Sequence, residues 1–216
     1  MKTLFQCDFD ASLTIGEVSH SLLEAFARGD WKPIQKDYYS GRITVEECNA
    51  WQFAMIKESA ETLKDFLLHS GKVVLRPGVK EFFQYGQAQG WEFSIISNGL
   101  KFYIEVILEQ LGFPDIEVIA AETEFRPDGL RLTYYDTSGN PVMAGFKASQ
   151  AEKQRLRGYD RVYFLGDGMA DLPPSRHADH VFATSVLLQK CREENLPHTE
   201  FEDLFEVIDY FKSGKS

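Results

Sequence analysis

The chain has 216 residues, a formal charge of −10 and a pI of about 5.0, and 44% of its residues are hydrophobic. That length suits one to two domains with a sizeable buried core; the acidic balance, without a basic stripe, excludes a nucleic-acid surface, and no apolar run is long enough to span a bilayer. Cys7, Cys48 and Cys191 have neither metal-ligand spacing nor the even number of a disulfide framework, and Met1-Lys2-Thr3 runs into a strand-like segment rather than a signal peptide, so a reducing cytoplasm is the expected compartment.

The first apolar run, residues 4–8, predicts a buried strand. Helices are expected next. Val18 to Ala27 puts Leu22, Leu23 and Phe26 on one face, and a second helix covers Lys32 to Tyr39. Thr44-Val45-Glu46-Glu47 is a capping box, with hydroxyl and carboxylate three residues apart. It opens a helix to about Lys57, and a fourth helix runs from Ala60 to Ser70 before Gly71. No strand signal interrupts this stretch, so residues 15–75 are read as an all-helical insert, and residues 1–14 with 76–216 as one core.

From Pro77 onward strand and helix alternate. A helix over Val79–Gln89 stops at Gly90, a favourable C-terminal residue. Strand 91–96, helix 100–111 and strand 116–120 follow, then Glu122–Phe125 and Leu130–Tyr135 flank the hairpin signal Arg126-Pro127-Asp128-Gly129. A helix over Lys147–Leu156, strands 161–165 and 180–184, and helices 186–195 and 201–211 complete the chain. The expected fold class is α/β, a Rossmann-like parallel sheet covered on both faces, carrying the helical insert.

Three turns that follow apolar runs carry the chemistry: Asp8-Phe9-Asp10 with Ser12 and Thr14, Ser97-Asn98-Gly99, and Gly166-Asp167-Gly168-Met169-Ala170-Asp171. Parallel strands would bring all of them to one sheet edge, where open α/β sheets bind ligands. Aspartate favours turns whatever its role, and Ser97-Asn98 also reads as an N-cap for helix 100–111. A hydroxyl at a helix N-terminus is at the same time an anion site. Lys147 sits in a first helical turn, against the helix dipole, which hints at a functional charge. Clustered carboxylates repel without a cation, and Mg2+ takes oxygen ligands and bridges to phosphate.

In order, Asp-x-Asp-x-Ser-x-Thr at residues 8–14, Ser97-Asn98-Gly99, Lys147 and Gly166-Asp167-Gly168-x-x-Asp171 resemble the motifs of the haloacid dehalogenase superfamily of phosphatases. The insert after the first motif resembles the cap of that superfamily's phosphoserine-phosphatase-like branch. The segment from Phe182 to Leu196 is similar to the tail of the methionine-salvage subfamily, which acts on 2-hydroxy-3-keto-5-methylthiopentenyl-1-phosphate. The resemblance implies Asp8 as nucleophile and Asp10 as general acid and base. It implies Mg2+ held by the Asp8 and Asp167 carboxylates and the Asp10 carbonyl, with Asp171 supporting that shell or the lysine. Ser97, with Asn98 and Gly99, Lys147 and Ser12 would serve the phosphoryl group. The usual Gly-Thr after the second aspartate is Ala11-Ser12 here; Ser12 keeps a hydroxyl, while Ala11 takes a positive φ less readily than glycine.

Glu17 lies where phosphoserine phosphatases place a carboxylate for the substrate amine, although it also reads as a carboxylate at a helix N-terminus. The helix after Thr44 contains no Arg or Lys but offers Asn49, Trp51, Gln52, Phe53 and Met55, which disfavours phosphoserine unless Arg28, Lys32, Lys36 or Arg42 reaches in. Trp31, Tyr38 and Tyr39 are expected to pack the insert, His177 and His180 to be surface residues, and Cys7 to act as a small hydrophobe. The expected partner is a small phosphorylated metabolite. A phosphotransferase and a catalytically silent phosphate-binding protein are the rival readings, and no oligomeric state is assigned.

Overall fold

A computed structural model describes residues 1–214. Strand β1 (Thr3–Cys7) is buried along its whole length, as the central strand of a sheet covered on both faces must be. It pairs in parallel with β2 (Glu92–Leu100) and β6 (Arg161–Gly166), and β6 pairs in parallel with β7 (His180–Ala183). On the other side β2 pairs in parallel with β3 (Glu117–Arg126), which turns back into antiparallel β4 (Gly129–Tyr135) and β5 (Pro141–Val142). With β8 (His198–Glu200) the order is β5-β4-β3-β2-β1-β6-β7-β8. The mostly parallel α/β sheet is therefore as expected, with an antiparallel edge added.

The register explains the shared edge. Cys7 is level with Ile95 and Leu165, so the chain after β1 and β6 and the far end of β2 emerge together. Phe5, one turn of the pleat below, stacks on Tyr163 and Phe182 at 5.5 and 5.6 Å and meets Phe82 edge-on at 4.9 Å. This aromatic layer lies under α5 (Val79–Ala88) and α10 (Leu204–Lys212), which pack against one another.

Between β1 and β2 come α1 (Val18–Phe26), α2 (Lys32–Tyr39), α3 (Val45–Phe53), α4 (Ala60–His69) and then α5. The two connections to residues 15–75 run antiparallel: Ile15 N–H donates to Val74 O at 2.8 Å, and Arg76 N–H to Leu13 O at 2.9 Å. The Thr44 capping box forms as predicted. Helix α3 stops at Phe53, short of Lys57, because Ile56 is buried as a bridge partner of Ala27 and its carbonyl accepts from Leu130 of the hairpin. The hairpin thereby reaches the insert, and β3 is one continuous strand rather than two.

Helix α6 (Lys101–Leu111) follows β2, α7 (Phe146–Arg155) precedes β6, and α8 (Leu172–Ser175) and α9 (Ser185–Glu194) flank β7. The polar edge strand β8 lacked an apolar alternation, and Pro173-Pro174 masked α8, where proline in the first turn is tolerated. Among the described residues no helix is long and apolar enough to cross a membrane.

Candidate active site

Asp8 directly follows β1, and its N–H donates to Leu165 O at 2.8 Å, tying the first turn to β6. Its side chain is 7% exposed. Lys147 Nζ donates to Asp8 Oδ1 and to Asp171 Oδ1, both at 2.6 Å. Ser12 Oγ lies 2.8 Å from Asp8 Oδ2 and 3.2 Å from Asp167 Oδ1. Asp171 Oδ2 accepts from the N–H groups of Asp167 and Gly168 at 3.0 and 2.9 Å. Gly166 is required beneath it, since a Cβ there would lie 2.7 Å from Asp171 Cγ. Gly168 has no such close neighbour, so only the first glycine of that turn answers a packing demand.

Burial sets the protonation of this cluster. It pushes Asp8 up to about 7, with Asp171 adding to the effect and Lys147 opposing it. It pushes Asp167 up to about 8, with Asp8 and Asp171 adding. Lys147 is also buried, which works against its charge, but Asp171 and Asp8 hold its pKa well above the ordinary lysine value. Carboxylate oxygens of Asp8, Asp167 and Asp171 lie within 4.8 Å of one another. Against these three stands one lysine, and the oxygens that face Ser12 share a single hydroxyl hydrogen. An all-oxygen donor set with unbalanced negative charge fits a hard divalent cation such as Mg2+. Asp171 is bonded through both oxygens, to Lys147 and to two backbone N–H groups, and Asp8 through both, to Lys147 and Ser12, so Asp167, whose carboxylate meets only Ser12 among the described residues, has the freest capacity.

The Asp10 carboxylate points elsewhere. Its Oδ1 accepts from Val18 N–H at 2.6 Å, at the N-terminus of α1, and its Oδ2 accepts from the Tyr103 hydroxyl. Burial raises it to about 6, with the Tyr103 bond opposing and Glu17 adding. Gly99 makes this possible, because a Cβ there would sit 1.7 Å from the Tyr103 hydroxyl and 2.9 Å from Asp10 Oδ2. Ser97 and Asn98 do not cap α6. They continue β2 across a register shift after Ile96, and Leu100 is the N-cap residue. The Ser97 hydroxyl accepts from Gly99 N–H at 3.0 Å, and the Asn98 carbonyl accepts from Asn49 Nδ2 at 2.7 Å and Tyr134 Oη at 2.6 Å.

Asp8, Asp10, Ser97, Asn98, Gly99, Lys147, Asp167 and Asp171 line one cavity of about 460 Å³, which has Asp8 on its floor and Tyr38, Val45 and Gln52 of residues 15–75 on its walls, while Ser12, Tyr103 and Tyr134 do not line it. Glu17 also lines it. Glu17 is the N-cap residue of α1 but makes no side-chain cap bond; Asp10 fills that place, and Glu17 pairs with His20 at 3.0 Å. Lys147 is the one lysine or arginine among the described lining residues. Arg28 and Arg42 instead pair with Glu58 and Asp37 on the surface. Tyr38 and Tyr39 line the cavity, whereas Trp31 is buried in the insert against His20. Trp51 is exposed and Phe53 is core. His180 is half-buried, stacked on Tyr210 and bonded to Thr199. Cys7 is fully buried and burial raises its thiol, in keeping with a hydrophobe.

Sequence reasoning missed Tyr103, Tyr134 and Arg76. Arg76 donates to Ser12 O at 2.7 Å and to Ala11 O, bracing the first turn. None of them belongs to a motif; their roles come only from the fold, although Tyr103 lies one helical turn beyond Gly99.

The haloacid dehalogenase-like hydrolase family model matches residues 3–176. A protein of Geobacillus kaustophilus named 2-hydroxy-3-keto-5-methylthiopentenyl-1-phosphate phosphatase is 31% identical over 94% of this chain and 92% of its own length. A protein of the same name from Geobacillus thermodenitrificans is 30% identical over 95% of this chain and 94% of its length. A substrate-bound phosphoserine phosphatase structure shares the fold, with a TM-score of 0.71, 20% identity and coverage of 97% of this chain and 98% of that one. The chain belongs to the haloacid dehalogenase-like hydrolase family, and is a hydrolase whose named relatives are phosphatases.

Proposed function

We propose that this phosphatase is a Mg2+-dependent phosphomonoesterase that works through an aspartyl-phosphate on Asp8. The observation that carries the proposal is the placement of Asp8: a buried carboxylate bonded to Lys147 and Ser12, at the floor of a cavity into which the second, separately held carboxylate of Asp10 also opens. Two acids in unlike environments suit a division between nucleophile and proton carrier.

An Asp8 oxygen attacks phosphorus and the bond from phosphorus to the ester oxygen breaks. Asp10, raised to about 6 by burial, gives its proton to the leaving alcohol oxygen. It then takes a proton from the water that attacks the phosphoryl group, and inorganic phosphate leaves with Asp8 regenerated. Lys147 and Ser97 hold phosphoryl oxygens, with Ser12, Asn98 and Gly99 shaping the turns around them. The Asp8 and Asp167 carboxylates and the Asp10 carbonyl would hold Mg2+, with Asp171 fixing Lys147 and the turn behind. When bound, the cation offsets the charge that otherwise keeps a carboxylate from a phosphate dianion.

For the substrate we propose a small phosphorylated metabolite, 2-hydroxy-3-keto-5-methylthiopentenyl-1-phosphate being the first choice, handled in the cytoplasm. Supporting this are the relatives of that name, aligned over nearly their full lengths, and a cavity wall on which the insert, though it presents Glu17, places no lysine or arginine for a carboxylate. Residues 15–75 would act as the cap that gives specificity by closing over the substrate. The test is phosphate release from this compound, phosphoserine and sugar phosphates, with Mg2+ and with EDTA. A clear kcat/KM preference for the methylthio-ketose phosphate is expected. Preference for phosphoserine would move Glu17 into the role of an amine reader and overturn the substrate assignment.

A further inference from the structure

Helix α3 belongs to the insert, yet one face of it is bonded into the core. Glu46 and Asn49 are three residues apart and so share a helix face. Glu46 is 3% exposed, and its Oε1 accepts from the Phe146 N–H at 3.0 Å. Phe146 opens α7, the helix whose next residue is Lys147. The local N-cap residue of α7 is Gly145, at φ 71, which has no side chain to serve the free N–H groups. The insert therefore supplies the missing cap. A carboxylate is favourable at that end of a helix, but burying one is costly unless it is bonded there.

The same face reaches the other phosphate turn. Asn49 Nδ2 donates to the Asn98 carbonyl, where Tyr134 also donates, so the backbone of Ser97-Asn98-Gly99 is gripped from the insert and from β4 together. One turn earlier, the Thr44 hydroxyl donates to Met143 O at 2.6 Å, beside the loop that leads into α7. Glu46 itself does not line the cavity. It reaches the chemistry only through the helix it caps.

We propose that Glu46 is a positioning residue: bonded to the first turn of α7, it makes docking of the insert set the place of Lys147, while Asn49 does the same for the Ser97–Gly99 turn. The site is then fully assembled only when α3 is seated on the core. This rests on the reading of Asp8 and Lys147 as the phosphoryl-transfer centre.

The test compares the full chain with Glu46→Ala and Glu46→Gln. Five quantities are measured: kcat and KM for p-nitrophenyl phosphate with Mg2+, competitive inhibition by inorganic phosphate, the thermal midpoint, and amide exchange over residues 145–150. Glu46→Ala is expected to lose about tenfold or more in kcat/KM and to weaken phosphate inhibition by a similar factor, the loss of one bond from a charged group. Exchange in the first turn of α7 should quicken while the protein stays folded. Glu46→Gln, which keeps the acceptor oxygen, should recover to within about threefold of the parent. Unchanged exchange, kcat/KM held within about twofold in a folded Glu46→Ala, or a Gln variant as impaired as Ala would each overturn the proposal. If the parent chain itself releases no phosphate, the reading of the pocket fails, and exchange together with phosphate binding still decides whether Glu46 holds α7.

Discussion

Ala11 sits at φ 58, in the left-handed region where the family resemblance has glycine. Its N–H donates to Gly16 O at 3.1 Å and Arg76 grips its carbonyl, so the surroundings hold the strained residue in place. The left-handed conformation costs an alanine about 1–2 kcal/mol, and glycine returns about 0.5–1 kcal/mol of that through its freer unfolded chain. Ala11→Gly is therefore expected to stabilise the protein by about 0.5 kcal/mol or slightly more, measured by urea unfolding; a loss of stability would show that the turn does not need this φ. Tyr103 is the other residue-scale device. Tyr103→Phe leaves the ring but frees Asp10 Oδ2, and kcat should fall about ten- to hundredfold, the worth of a bond to a charged group. Steady-state kinetics with kcat unchanged would remove Tyr103 from the mechanism. That Asp8, Asp10, Ser97, Asn98, Gly99 and Asp171 would meet was legible because each belongs to a short turn after an apolar run, and Lys147 stood out by its charge in a first helical turn. Tyr103 and Arg76 were not, since they act across 93 and 65 residues of sequence.

Elements were legible where periodicity and punctuation agreed. The Thr44 box, Gly112 after α6 and the buried β1 run all appear where their chemistry puts them. Boundaries failed where tertiary contacts overrode a local pattern, as Ile56 is taken from α3 and Ala121, paired with Leu100, joins strand 116–120 to Glu122–Phe125 in one β3. The hairpin between β3 and β4 shows what such contacts demand. Gly129 has φ 140, and a Cβ there would lie 2.0 Å from Ala54 O at the end of α3. Gly129→Ala should destabilise by about 2 kcal/mol or more, from strain and overpacking combined. An unchanged denaturation midpoint would mean that hairpin and insert are not in contact in solution.

At the scale of the whole molecule, the sheet order brings three carboxylates and one lysine to a single edge, and the protein's stability inherits that charge problem. The folded pKa values of Asp8 and Asp167, about 7 and about 8, lie above the ordinary value of 3.8. Between these limits the folded state binds more protons than the unfolded state, so stability falls as pH rises. The contribution is fully present below the unfolded pKa and is lost as pH climbs through about 7 to 8. The metal-free protein should thus melt at a lower temperature at pH 8 than at pH 5, with Mg2+ restoring more stability at the higher pH, where the carboxylates are free to bind it (about pH 8). A melting temperature that rises over this range without metal would contradict the cluster's electrostatics. The overall α/β class was legible from alternation alone, but the insert's grip on α7 was not, because helix-to-helix bonds leave no local trace.

The most direct test of the central claim is phosphate release from p-nitrophenyl phosphate, with Mg2+, by the parent chain and by Asp8→Asn. Turnover by the parent and a fall of about 10⁴-fold or more in the variant, with an unchanged circular dichroism spectrum, is the predicted result. A folded Asp8→Asn with near-parental turnover would contradict the assignment of Asp8 as the nucleophile.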